Sequence, residues 1–310
     1  MSAVDIAGPL AFHRSPWQRF VRWTEPYLYC APVLIPIAAI MLVPLIIGLS
    51  YAFRDLTLLD PMSGDYIGFD HFRDIWADAN FWNALENTVT WTVASVALQF
   101  VFGLVLALLL NRPFPGRAVI QALVFLPWAV PSFLSGLNWA WLFNPVVGPL
   151  PYWMVDLGIM ATPDNLLSDP SHALWGPITA MVWWGIPFFA ITLLAALQSI
   201  PNDIYEAAAM DGAGAIRRFQ TITLPYLAPT IAITVLLRTV WVANSADLIV
   251  VMTKGGPADS TQIVASYIFT QAFQRLDFGY ASALSAVLLV LLLAYAFAII
   301  LLRQTLAGRT

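Results

Sequence analysis

The 310-residue chain is 60% hydrophobic and only 10% charged, with a formal net charge of −4. Soluble domains carry about 25% charged residues, so a chain of this balance has too little polar surface to stay dissolved and reads as a membrane protein. A single lysine, Lys254, excludes a basic nucleic-acid surface, and a single cysteine, Cys30, excludes an internal disulfide framework.

The N-terminal segment, residues 1–26, carries His13, Arg14, Arg19 and Arg22 and precedes a charge-free run from Pro26 to Phe53. No small-residue cleavage site follows promptly, so the run is expected to be an uncleaved first spanning helix rather than a signal peptide. Residues 54–86 are rich in acids and read as an outer loop with short helices. Further apolar runs predict a second span between Glu86 and Arg112, a third from Arg117 to about Phe143 and a fourth from about Leu174 to Ser199. A polar insert occupies 200–227. The fifth span runs from about Ala228 to Thr253, and the sixth from about Tyr280 to Leu302. Each supplies the roughly 20 residues a spanning helix needs. The expected fold is an all-α membrane protein of about six transmembrane helices. One permease domain covers 27–303, with a tail at 304–310.

Six spans put both termini on one side. Placed in the cytoplasm, that side holds Arg14, Arg19, Arg22, Arg112, Arg117, Arg217, Arg218, Arg303 and Arg309, against Arg54, Arg73, Lys254 and Arg275 opposite. That bias follows the positive-inside rule and sends the 200–227 insert to the cytoplasm.

Within the insert, Asn202 or Asp203 is positioned to cap a helix, with Glu206 three residues after Asp203 as in a capping box. Ala207 to Ala209 propagate the helix, Gly212 and Gly214 permit a tight turn, and a second helix is expected from Ala215 to about Thr223. Leu224-Pro225 is expected to turn the chain back toward the membrane. Composition alone leaves an ordinary interhelical loop as an equal reading.

Arg238 and Asp247 interrupt the fifth span. Intramembrane charges cost several kcal/mol unless they face a cavity or a partner, which makes both candidates for function. Pairing with a neighbouring subunit, or reaching toward the helix ends, stays open. Nine residues apart on one helix, about 13 Å at 1.5 Å per residue, they are not expected to pair with each other. His13, His71 and His172 lie outside the spans and far apart in sequence, so no metal site is expected. No phosphate-binding P-loop exists, because Lys254 is followed by Gly255 rather than Ser or Thr. No hydrolase motif is present either. The competing class is an ion-gradient-driven secondary transporter, for which Asp247 is the lone acid inside a span.

The run Glu206-Ala-Ala-Ala-Met-Asp-Gly-Ala213, followed by Phe219, Ile222, Leu224 and Pro225, resembles the EAA loop of ABC importer permeases. Tyr66-Ile-Gly-Phe-Asp-His-Phe72, Phe81-Trp-Asn-Ala-Leu-Glu-Asn-Thr88, Phe125-Leu-Pro-Trp-Ala-Val-Pro131, Trp184-Gly-Ile-Pro-Phe188, Thr253-Lys-Gly-Gly-Pro257 and Gly279-Tyr-Ala-Ser-Ala283 resemble the carbohydrate branch of that family. The resemblance implies a type I importer fold in a bacterial inner membrane. It implies an ATPase-docking face of Glu206, Ala207, Ala208, Asp211, Gly212, Arg217, Arg218 and Phe219. Substrate would meet Trp184, Gly185, Phe188, Arg238, Trp241, Ser245 and Asp247, with Arg238 also suited to an anionic sugar. The implied partners are a second permease forming a heterodimer, two ATPase subunits holding ATP and Mg2+, and an extracytoplasmic sugar-binding protein. No cofactor is expected in this chain.

Overall fold

The computed structural model describes residues 16–60 and 62–307, with side chains for 24–60 and 62–301. His13, Arg14 and Arg309 lie outside the described residues. The chain divides at Ser50–Tyr51 into two compact units. The first is carried by α1 (Pro16–Tyr51), whose stretch Thr24–Tyr51 is long and apolar enough to cross a membrane.

The second unit begins with an antiparallel pair of two-residue strands, β1 (Arg54–Asp55) and β2 (Asp65–Tyr66), in the register Arg54↔Tyr66. A short helix α2 (Asp70–Ala77) follows. Helix α3 (Ala79–Leu110) packs along its length against α7 (Trp175–Gln198). Gly103 lets the backbones approach, since a β-carbon there would strike the Phe189 side chain. Between them lie α4 (Arg117–Ala129), α5 (Ser132–Leu142) and α6 (Pro149–Asp156). After α7 come α8 (Asn202–Met210), α9 (Ala215–Arg218), a π-helical turn over Phe219–Thr223 and α10 (Leu224–Ala243). The chain ends through α11 (Asp247–Met252), α12 (Val264–Phe269), a second π turn over Thr270–Gln274, and α13 (Phe278–Ala307).

Five helical runs among the described residues are long and apolar enough to span, and a bent pair makes a sixth. That pair occupies the third span expected from Arg117 to about Phe143, in two pieces. α4 and α5 meet at 94° across Val130-Pro131. Proline offers no N–H and forces the residue before it out of the helical region, and Val130 is extended at φ −80°, ψ 128°. The carbonyl freed there does not go begging: Trp184 Nε1 donates to Val130 O at 2.8 Å.

The loop after Ser199 differs from expectation in three respects. Neither Asn202 nor Asp203 caps α8; both lie inside it, behind Pro201, and no side chain makes a cap bond. Leu224-Pro225 does not turn the chain. Helix runs on from Ala215 through the π turn to Ala243, because the wider π turn absorbs the N–H that Pro225 lacks. The fifth span is instead interrupted at Asn244–Ala246, before α11.

Helix α7 is the centre of the bundle: 61% of its apolar window is buried, against 11% for α13. The larger apolar core joins α7 to α3, α10 and α11 through Trp91, Phe189, Leu193, Leu227 and Leu248. A second core ties α2, α3, α12 and α13 through Ile75, Phe81, Tyr267 and Leu284. Asp78 braces this end. Its Oδ1 accepts from Asn80 N at 2.9 Å, capping α3, while Oδ2 accepts from the hydroxyls of Tyr267 at 2.7 Å and Tyr280 at 2.8 Å.

Candidate functional site

Two polar features stand out against the apolar bundle. The first is a cavity of about 280 Å³ lined by Ser132, Met181, Trp184, Arg238, Trp241, Val242, Asn244, Ser245 and Asp247. Helices α5, α7 and α10, the break at Asn244–Ala246 and the first residue of α11 build it. Arg238 sits one turn before the end of α10 and is 1% exposed. Its Nε donates to Gln99 Oε1 at 2.6 Å, and its Nη2 points at Met181 Sδ, 3.7 Å away. The guanidinium carbon lies 5.1 Å from the centroid of the Trp184 ring and 5.6 Å from that of Phe188. Both are cation–π distances. Gln99 is itself pinned, its Nε2 donating to Met181 O at 3.0 Å.

Asp247 enters from another direction. It opens α11, and its Oδ2 accepts from the hydroxyl of Ser132, the first residue of α5, at 2.6 Å. The break at Asn244–Ala246 brings Asp247 to the same cavity as Arg238 instead of holding it along one helix. The two do not pair: the one ion pair among the described residues is Arg73–Asp70.

Of the substrate residues expected from sequence, Trp184, Arg238, Trp241, Ser245 and Asp247 thus line one cavity. Phe188 stands behind it, its ring 5.6 Å from that of Trp241 and 6.0 Å from that of Trp128. Gly185 supplies space, because a β-carbon there would strike Arg238 Nη2 and the Gln99 amide. Gln99, Met181, Ser132 and Asn244 were not singled out from the sequence. Gln99 carried a usable signal, as the one amide in the long apolar run of α3.

The second feature is the helix–turn–helix at 202–218. Helix α8 closes in a Schellman motif: Gly212 N donates to Ala209 O at 3.0 Å and Ala213 N to Ala208 O at 2.9 Å. Gly212 holds φ +77°, the left-handed conformation this motif requires. Gly214, at φ −67°, needs no glycine. Tyr205 bolts α8 to the π turn through its hydroxyl, 2.9 Å from Thr223 Oγ1. Glu206, Ala207, Asp211, Gly212 and Arg217 are exposed, while Ala208, Arg218 and Phe219 are half-buried. Arg218 and Phe219 turn inward to line a cavity of about 620 Å³ with Asn111, Arg112 and Tyr205. Two apolar side chains overlooked in the sequence flank the turn in the open, Met210 at 89% and Ile216 at 76% exposure.

A bundle of apolar spans around a polar, aromatic-lined cavity, with a helix–turn–helix at one end, is the build of a membrane permease subunit. The chain belongs to the binding-protein-dependent transport system inner membrane component family, which matches residues 99–309. In that family ATP hydrolysis lies in separate subunits. The chain is 34% identical over 268 residues to the trehalose/maltose transport system permease protein MalF of Thermococcus litoralis, covering 85% of this chain and 89% of that one. It is 34% identical over 279 residues to the sulfoquinovosyl glycerol transport system permease protein SmoG of Agrobacterium fabrum, covering 88% and 90%. It also superposes with a TM-score of 0.78, at 25% identity, on a chain of a bacterial alginate ABC transporter solved with an alginate pentasaccharide-bound periplasmic protein; 92% of this chain and 96% of that one are covered.

Proposed function

We propose that this permease subunit carries a sugar or sugar derivative into the cell, with the substrate passing through the cavity between Trp184, Trp241, Arg238 and Asp247. The observation that carries the reading is the lining itself: two tryptophan rings beside a few fixed polar groups, Ser245 and Asn244 among them. Sugars present apolar faces and polar rims, and this combination meets both. The carbohydrates named for the relatives support the same class. Nothing in the site favours the ion-gradient alternative, since Asp247 is engaged by Ser132 and no second acid lines the cavity.

An extracytoplasmic binding protein delivers the sugar, a second related permease completes the pathway, and two ATPase subunits holding ATP and Mg2+ supply the energy. The 200–227 loop lies in the cytoplasm with both termini. Glu206, Ala207, Asp211, Gly212 and Arg217 meet the ATPase directly, with Met210 and Ile216 as its apolar contacts. Ala208, Arg218 and Phe219 seat the loop from behind. ATP-driven closure of the ATPases shifts the loop, and the unbroken helix from Ala215 to Ala243 transmits that shift to Arg238, about 35 Å away at 1.5 Å per residue.

The test is a mild-detergent pull-down of the chain from its native membranes with mass spectrometry of its companions. A stoichiometric ATPase and a second permease are the expected result. A chain that purifies alone and moves solute under an ion gradient would refute the reading.

A further inference from the structure

We infer that the sugar is acidic: its anionic group binds Arg238 and its hydroxyls face Asp247. The inference rests on the sugar-importer reading and narrows it to a chemical class.

Every group around the guanidinium is neutral. Nε has the Gln99 amide oxygen, Nη2 has the Met181 thioether, and the two faces have Trp184 and Phe188. Among the described residues no carboxylate lies within ion-pair distance and Nη1 has no hydrogen-bond acceptor. A charge 1% exposed inside a span and lacking a counter-ion is destabilising. The surroundings are arranged to keep it where it is. Gly185 clears the slot, and Gln99 holds Nε from one side while bonded to Met181 O on the other. Within this chain, an orienting amide with no neutralising acid leaves the countercharge to the visitor. A carboxylate, phosphate or sulfonate matches the guanidinium fork.

Asp247 specifies the other end. Ser132 donates to Oδ2, which leaves Oδ1 to accept from a sugar hydroxyl. Its charge also repels an anion placed there. The cavity is therefore polarised, with a cation at one wall, an acceptor-only carboxylate at another, and Trp184 and Trp241 as apolar surfaces between. A neutral sugar satisfies Asp247 and leaves Arg238 without a countercharge; a singly acidic sugar satisfies both.

The experiment uses the complete importer, with its partner permease, ATPases and binding protein, in proteoliposomes loaded with Mg-ATP. ATP-dependent accumulation is measured for matched probes: glucose with glucuronate and glucose 6-phosphate, galactose with galacturonate, and neutral trehalose and maltose. An acidic member is expected to accumulate about tenfold or more faster than its neutral counterpart. The Gln99→Glu variant places a carboxylate where Arg238 Nε now has an amide, giving it an internal counter-ion. It is expected to raise KM for the acidic probe about tenfold while kcat stays within about twofold, a split that a folding defect does not produce. Neutral probes accumulating as fast as acidic ones would overturn the inference and leave the sugar importer standing. No accumulation of any sugar would remove both. An unchanged KM in Gln99→Glu would also overturn it, and the wild-type comparison decides the matter should that variant fail to assemble.

Discussion

At the scale of single residues, Gly185 and Trp184 show how α7 shapes a cavity that it lines together with α5, α10 and α11. Adding one methyl group at Gly185 drives it into Arg238 Nη2 and the Gln99 amide. Overpacking of this kind costs about 1–3 kcal/mol, or displaces the guanidinium. Gly185→Ala is expected to cut uptake about tenfold, read as a rise in KM in the reconstituted importer. Trp184→Phe keeps a ring under Arg238 but removes the N–H that satisfies Val130 O at the break between α4 and α5. Leaving that carbonyl unpaired costs about 1–3 kcal/mol, and thermal unfolding of the detergent-solubilised complex should register it. Charged residues in an apolar run announce themselves, which is why Arg238 and Asp247 were legible in the sequence. Their neutral companions were not: a serine such as Ser132 is unremarkable in a spanning helix until the partner it bonds is known.

Among the elements, the helix–turn–helix separates a glycine that backbone geometry requires from one that it does not. A β-carbon at Gly212 meets nothing within 4 Å, so the demand there is conformational, and an L-residue in the left-handed region costs about 1–2 kcal/mol. Gly212→Ala and Gly212→Asp are expected to uncouple transport while the protein still inserts, whereas Gly214→Ala, in an ordinary backbone conformation, is tolerated. ATPase stimulation by loaded binding protein distinguishes these outcomes; normal coupling in Gly212→Asp would count against the loop as the lever. Tyr205→Phe removes the hydroxyl bond to Thr223 and loosens α8 by about 1 kcal/mol, lowering the coupling ratio of sugar moved to ATP hydrolysed. The EAA pattern made this loop readable because its residues recur at fixed spacing. Prolines act in opposite ways in this chain. Pro131 bends the third span by 94°, which apolar length alone does not reveal. Pro225 breaks nothing, because a π turn, which leaves no compositional trace, accommodates it. The expected capping box failed because Pro201 fixes the helix start one residue before Asn202.

At the scale of the whole molecule, Asp78 links three helices, and its ionisation makes that link depend on pH. Burial pushes its carboxyl up, but hydrogen bonds from Tyr267, Tyr280, Asn80 N and Phe81 N outweigh burial and hold it below the usual carboxylate range. Burial, then the bond to Asp78, raises the Tyr267 phenol to about 12. A depressed carboxyl contributes stability that is present above its unfolded value and lost as pH falls through the folded one. A raised phenol contributes stability that is present below its unfolded value, about 10, and lost as pH climbs through about 12. The melting temperature of the complex should therefore be level from about pH 5 to 9 and fall on both sides. Asp78→Asn is expected to lower the plateau and flatten the acid limb, whereas an unaltered acid limb would assign it to other carboxyls.

The unbroken helix from Ala215 to Ala243 carries a consequence for how the sequence can change. On the lever reading, its two ends, the loop and Arg238, are fixed not only in distance but in azimuth. Each residue turns the chain by about 100°, so one insertion or deletion between Pro225 and Leu237 would swing Arg238 onto a different side while the loop stayed in place. Side chains along that stretch are free to vary within the demands of packing, but the number of residues is not. On that reading, residue count in this segment is itself a functional property.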